Sequence, residues 1–188
     1  MEDRCKITIK SKETELTASR KEVFVNIFIT SLQKGDFVNI LQYIVTVTDI
    51  SYIVQVTIHL DSSGGDPDEY MSLLDFCFAI KKFNIEVYGQ CDSAAAWFFT
   101  NAITANKTMS KNTSFMFHTV KYSLQDMTIG DLEEHLKMYR ISEEQLMSGA
   151  KLTGVLDKGE MERINSGAEI LKTGIELNSR FPEVFKLR

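Results

Sequence analysis

Short runs of β-branched and aromatic residues alternate with segments of helical periodicity along the whole chain, and this alternation limits the fold more than any other feature. Residues 6–10 (KITIK) alternate polar and apolar side chains in the manner of a short edge strand, and residues 22–29 (EVFVNIFI) form a stronger strand pattern. After Gly35, Asp36 is placed to cap a helix whose apolar positions Phe37, Ile40, Leu41, Ile44 and Val45 follow helical spacing. Residues 52–60 (YIVQVTIHL) read as the next strand. Asp66 at the N-cap, Pro67 at the first helical position and Glu69 three residues after the cap then open a mostly apolar helix, MSLLDFCFAIKKF. Residues 85–88 and 113–118 (TSFMFH) complete the strands, and GQCDSAAA at 89–96 joins the first of these to a small-residue helix. Thr128 and Asp131 resemble a capping box for a long helix with Leu132, Leu136, Tyr139, Leu146 and Ala150 on one stripe. A last helix is expected from Ser166, with Glu169 as reciprocal partner and Gly174 as its stop. Strands alternating with helices predict an α/β fold with a mainly parallel sheet.

Composition narrows the function classes. The chain has 188 residues, 44% hydrophobic and 25% charged, enough for one domain with a sizeable core. Its net charge of −5, without a basic block, gives no surface for sequence-independent nucleic-acid binding. Cys5, Cys77 and Cys91 have no metal-ligand spacing, and their odd number argues against a disulfide framework. No metal or other cofactor is expected. The N-terminal MEDRCKITIK lacks the apolar core of a signal peptide, and no run approaches the ~20 apolar residues of a membrane span. A cytoplasmic protein without membrane attachment is the expectation.

Four features bear chemistry. In LDSSGGDP, Gly64-Gly65 lies between a strand and a capped helix, where backbone N–H groups can approach an anion or a developing oxyanion; an ordinary tight turn is the alternative. Ser93 sits on a strand-to-helix corner, the position of an N-cap and also of an exposed nucleophile, with Ala94, Ala95 and Ala96 leaving space above it. A serine nucleophile needs a base. Of three histidines, His59 lies inside a strand and His135 in a Glu-rich stretch, whereas His118 ends an apolar strand, where parallel sheets deliver side chains to ligand crevices. An acid or amide to hold His118 would come from Asp157, Glu160, Glu162 or Asn165, among which spacing alone does not choose.

Taken together, these features resemble the ClpP family, the proteolytic subunit of the Clp protease. LDSSGGDPDEYMSLLDF is similar to that family's strand, Gly-Gly turn and helix, GQCDSAAAWFFT to its nucleophile segment, and SFMFHT to its histidine segment. LMSGAKLTG followed by SGAEILKTGI resembles its long helix, Thr-Gly turn and terminal helix, so the similarity covers roughly residues 20 to 178. The resemblance implies a ClpP/crotonase-type fold of repeated ββα units, with residues 1–20 as an N-terminal extension or edge strand and a projecting handle helix at about 131–150. It implies a serine endopeptidase in which Ser93 is the nucleophile, His118 the general base, and the N–H groups of Gly65 and Ala94 the oxyanion hole. Peptides or unfolded proteins would be the substrate, cut within homo-oligomeric rings of seven that an AAA+ unfoldase can serve.

Two departures from the family pattern follow. Cys91-Asp92 replaces the usual Ala-Ala before the serine, and adjacent side chains at such a corner generally point apart. The aspartate expected after Glu162-Arg163 is absent; Ile164-Asn165-Ser166 stands there, leaving Asn165, with Asp157 as rival, for the third triad position. The alternative function is a catalytically weak or inactive ClpP-like subunit with an assembly or regulatory role. A crotonase-type acyl-thioester enzyme is a third reading, opposed by the protease-like spacing of Ser93 and His118.

Overall fold

The computed structural model describes residues 4–13, 21–119 and 129–188, apart from the side chains at 13, 21, 129, 131, 132, 135 and 139. The proposed Thr128–Asp131 capping box, the stripe positions Leu132 and Tyr139, and the side chain of His135 therefore lie outside the described residues. The fold is α/β, built on a mixed eight-stranded sheet.

Strand β1 (Cys5–Glu13) runs antiparallel to β2 (Lys21–Ile29) at one edge. From β2 the sheet continues in parallel through β3 (Ile53–Ser62), β4 (Phe83–Asp92), β5 (Asn106–Met109) and β8 (Phe185–Leu187). Helices α1 (Asp36–Val47), α2 (Pro67–Phe78) and α3 (Ala94–Asn101) make the first three crossovers. Along β2, Val23, Val25, Ile27 and Ile29 are buried at every second position, the period of a strand with one face in the core.

Strand β4 serves two partners on one of its edges. Asn84 to Val87 pair with β5, whereas Gln90 to Asp92 pair with β6 (Ser114–Phe117), which in turn pairs antiparallel with β7 (Ile170–Thr173). Between these stretches β4 bulges. Leu60 of β3 lies opposite Val87, but Ser62 lies opposite Cys91. Asp61 fills the gap: its Oδ1 accepts from Gln90 N–H at 2.9 Å, and a Cβ at Gly89 would stand 2.3 Å from the same oxygen. The bulge re-aims the end of β4 toward β6.

The chain's last third departs from its local signals. Helix α4 (Ile129–Thr153) covers the expected handle, with Leu146 and Ala150 buried and Leu136 exposed. The helix expected from Ser166 to Gly174 does not form. Ser166 instead ends α5 (Lys158–Asn165), 170–173 is β7, and Gly174 begins α6 (Gly174–Arg180). Two true capping boxes, Asp157 with Glu160 and Thr173 with Glu176, take the roles assigned to Ser166 and Glu169. The first box is braced by the Lys172 ammonium, which bonds Glu160.

Asp36 is also displaced from its expected role. Gly35, at φ 89°, is the N-cap of α1, and the buried Asp36 accepts from Arg4 through both carboxylate oxygens and from Gln33 N–H. Asp66 and Pro67 open α2 as expected, but Glu69 reaches across to accept from Gly35 and Phe37 N–H, tying α2 to the start of α1. Lys107 of β5 is 2% exposed. Its Nζ lies 5.1 Å from the Phe99 ring centre, 5.3 Å from that of Phe185 and 3.5 Å from Thr100 O. No described helix is long and apolar enough to cross a membrane.

Candidate active site

Three parallel strands, β3, β4 and β6, end side by side, and their C-terminal ends bring together Gly64-Gly65, Ser93 and His118. The register Asp92 opposite Met116 places Ser93 one step beyond β4 and His118 just past the end of β6. Ser93 N–H donates to Met116 O at 2.7 Å, pinning the corner to β6.

Ser93 occupies the N-cap position of α3, yet its side chain makes no capping bond. Its φ of 57° and ψ of −126° make it the one non-glycine residue with positive φ among the described residues. Such a conformation costs ~1–3 kcal/mol and persists where surrounding contacts impose it. It aims the hydroxyl away from the helix end and toward His118, whose Nε2 lies 2.7 Å from Ser93 Oγ. With the ring proton on Nδ1, the hydroxyl donates to Nε2, the arrangement from which a base can take the serine proton.

The Gly-Gly turn abuts this pair. Gly64, at φ 101°, has room for no side chain: a Cβ there would lie 2.7 Å from Ser93 Cβ and 2.8 Å from Asp92 O. Gly65, at φ 140°, lies against Leu32, whose O would be 1.9 Å from an added Cβ. Leu32 N–H donates to Gly64 O and Asp66 N–H donates to Leu32 O, leaving the Gly65 N–H without an acceptor among the described residues. Ala94 N–H, in the first turn of α3, has no intrahelical acceptor. Ser62 and the buried Tyr70 brace the turn: their hydroxyls lie 2.7 Å apart, and Gly64 N–H donates to Ser62 Oγ. Burial pushes the Tyr70 phenol above its ordinary range, so it remains a neutral bracket.

His118 is held from its backbone side. The Trp97 indole N–H donates to His118 O at 3.1 Å, and the Trp97 ring packs edge-on against Phe117. One turn further along α3, Asn101 ties the site helix to α4. Its amide donates to Trp97 O and Leu146 O and accepts from Gly149 N–H and the Ser148 hydroxyl. Gly149 permits this approach, since a Cβ there would meet Asn101 Cα at 2.5 Å. Neither Tyr70 nor Asn101 carries a local sequence signal; both act through contacts distant along the chain.

Among the described residues neither Asn165 nor Asp157 hydrogen-bonds His118. Asp157 Oδ1 accepts from Glu160 N–H as the cap of α5, and Asn165 is an exposed residue ending that helix. Asn165 lines a polar cavity of about 440 Å³ with Thr119, Arg140, Glu143, Glu144, Met147 and Lys151. Among the described residues His118 Nδ1 is buried without a hydrogen-bond partner, and so is Asp92 Oδ1. Leaving a buried polar group unpaired costs ~1–3 kcal/mol, so the corner is locally costly. Burial raises the Asp92 carboxyl above its ordinary value, against the opposing pull of Met116 N–H and of the His118 charge.

His59, the other described histidine, stands apart from this corner. Its ring stacks on Phe28 at 4.3 Å and its nitrogens meet Asn26, Glu86 and Tyr88. Among the described residues no group of His, Cys, Asp and Glu has the arrangement of a metal site, and the three cysteines are free and buried.

A scan against protein-family models and a search of curated proteins give no match to this chain.

Proposed function

We propose that the chain is a serine hydrolase of the ClpP-like peptidase type, with Ser93 as nucleophile and His118 as general base. The observation that carries this reading is the 2.7 Å contact between Ser93 Oγ and His118 Nε2, made by a serine whose strained backbone withholds it from helix capping. Ser93 Oγ attacks the substrate carbonyl while its proton passes to Nε2. The resulting oxyanion is stabilised by the N–H groups of Gly65 and Ala94, both open among the described residues. The proton on Nε2 then goes to the leaving amine as the C–N bond breaks, and water releases the acyl group by the same steps in reverse order. The mainly parallel sheet with its strand-end site and the 25-residue helix α4 suit the ClpP/crotonase-type architecture. Exposed Leu136, Met138 and Ile141 on α4 support a homo-oligomer assembled through that helix, with seven-membered rings and an AAA+ unfoldase as the family-based expectation. Peptides or unfolded proteins in the cytoplasm are the proposed substrates.

The unpartnered His118 Nδ1 favours a second reading, a ClpP-like subunit of low turnover that contributes to assembly or regulation. Labelling with a fluorophosphonate separates the two. The first reading expects modification of Ser93, located by mass spectrometry, and its loss in Ser93→Ala and His118→Ala. An assembled, folded protein whose Ser93 stays unlabelled contradicts it.

A further inference from the structure

The two unpaired atoms at the corner belong to complementary groups. With the Ser93 hydroxyl donating to Nε2, the neutral His118 ring carries its proton on Nδ1 as a donor, and the Asp92 carboxylate offers an acceptor. The sheet sets them on one face. Asp92 lies opposite Met116, and His118 follows Met116 by two residues, the repeat at which side chains leave the same side of a strand. The opposite face is occupied by Cys91, Phe115 and Phe117, all fully buried in the core. Adjacent side chains at a regular corner would diverge, but the positive φ of Ser93 breaks the alternation, so the Ser93 hydroxyl reaches His118 Nε2 from beside a residue that keeps the face of its strand.

We infer that Asp92 is the positioning residue for His118: the structure holds the two groups unbonded, and a small turn of the carboxylate toward Nδ1–H lets it accept that proton, fix the ring tautomer and stabilise the imidazolium formed when the Ser93 proton moves to Nε2. The role rests on the reading of Ser93 as nucleophile. It assigns the acid of the constellation to the residue immediately before the serine, on the same strand end, rather than to the segment after Arg163. Burial raises the Asp92 carboxyl, and Met116 N–H and His118 offset that only in part, whereas the Asp157 carboxylate is committed to its helix cap.

Two measurements on the full chain test the inference. In the first, the rate of Ser93 modification by a fluorophosphonate is followed against pH in wild type, Asp92→Asn and Asp92→Ala. A fall on the order of 10²–10⁴-fold with a changed pH profile is expected for both variants, and Glu144→Gln, across the neighbouring cavity, should behave as wild type. In the second, ¹⁵N NMR of the His118 ring reads the tautomer directly. Wild type should hold the Nδ1–H form, and Asp92→Asn should lose that preference. An unchanged tautomer together with an unchanged rate overturns the inference. If wild type does not label but its tautomer depends on Asp92, the peptidase reading falls and the positioning role stands. Should Asp92→Asn fail to fold, Asp92→Ser is read in the same two ways.

Discussion

Lys107 carries a strong prediction about stability. It projects from β5 into the core, 2% exposed, between the Phe99 and Phe185 rings, with Thr100 O at 3.5 Å as its hydrogen-bond acceptor. Burial pulls its ammonium from the ordinary 10.5 to about 7, against the opposing effect of Cys91. At 1.36 kcal/mol per pH unit, the gap between these values is worth about 5 kcal/mol, an upper bound because interiors respond to a buried charge as a medium more polar than dry protein. Below pH 7 the lysine is charged in both states and the folded chain carries the full cost. Between about 7 and 10.5 the unfolded chain binds a proton that the folded chain does not, so stability rises with pH; above that window the cost is gone. Lys107→Met removes the titrating group and keeps most of the volume. At pH 6 the variant should exceed wild type by about 2–5 kcal/mol, and by pH 9.5 most of that advantage should have vanished. Urea unfolding at pH 6, 7.5 and 9.5, with equal m-values as the check on two-state behaviour, measures the difference. A wild-type-to-variant gap that is constant across this range refutes the reasoning, since it would mean that Lys107 keeps its proton in the fold.

Gly65→Ala should cost more than about 3 kcal/mol in thermal or urea unfolding, because the new Cβ would stand 1.9 Å from Leu32 O and backbone must move. Gly35→Ala, with no atom within 4 Å, should cost only the ~1–2 kcal/mol of its left-handed backbone. Asn101→Ala should lose about 2–4 kcal/mol by removing the hydrogen bonds that its amide makes to Trp97, Leu146, Ser148 and Gly149. Hydrogen exchange should then rise in residues 146–153 while β2 and β3 keep their protection.

What could be read from the sequence divides along physical lines. Strands β2 and β3 carry dense β-branched runs, and α2 announces itself through Asp66-Pro67, so local signals and tertiary structure agree there. Strands β5 (NKTM), β7 (ILKT) and β8 (FKL) are too short to show a period, and their pairing comes from partners far along the chain. Ser166 and Glu169 imitate a capping box as well as Asp157 with Glu160 or Thr173 with Glu176, and only tertiary contacts choose between them. At the site, residue types and spacing pointed to Ser93 and His118, which the fold sets 2.7 Å apart. The positive φ of Ser93, the Asp61-filled bulge and the bare Nδ1 depend on three strand ends meeting, which no local pattern encodes.

The divided edge of β4 bears on how the molecule is made. A ribosome releases β4, α3 and β6 well before β7, because residues 170–173 follow β6 by more than fifty positions. Until they emerge, β6 has β4 on one side and an open edge on the other. The strand leading into His118 is thus enclosed only after more than fifty further residues are made, and closing a loop of that length ranks among the slower contacts in folding.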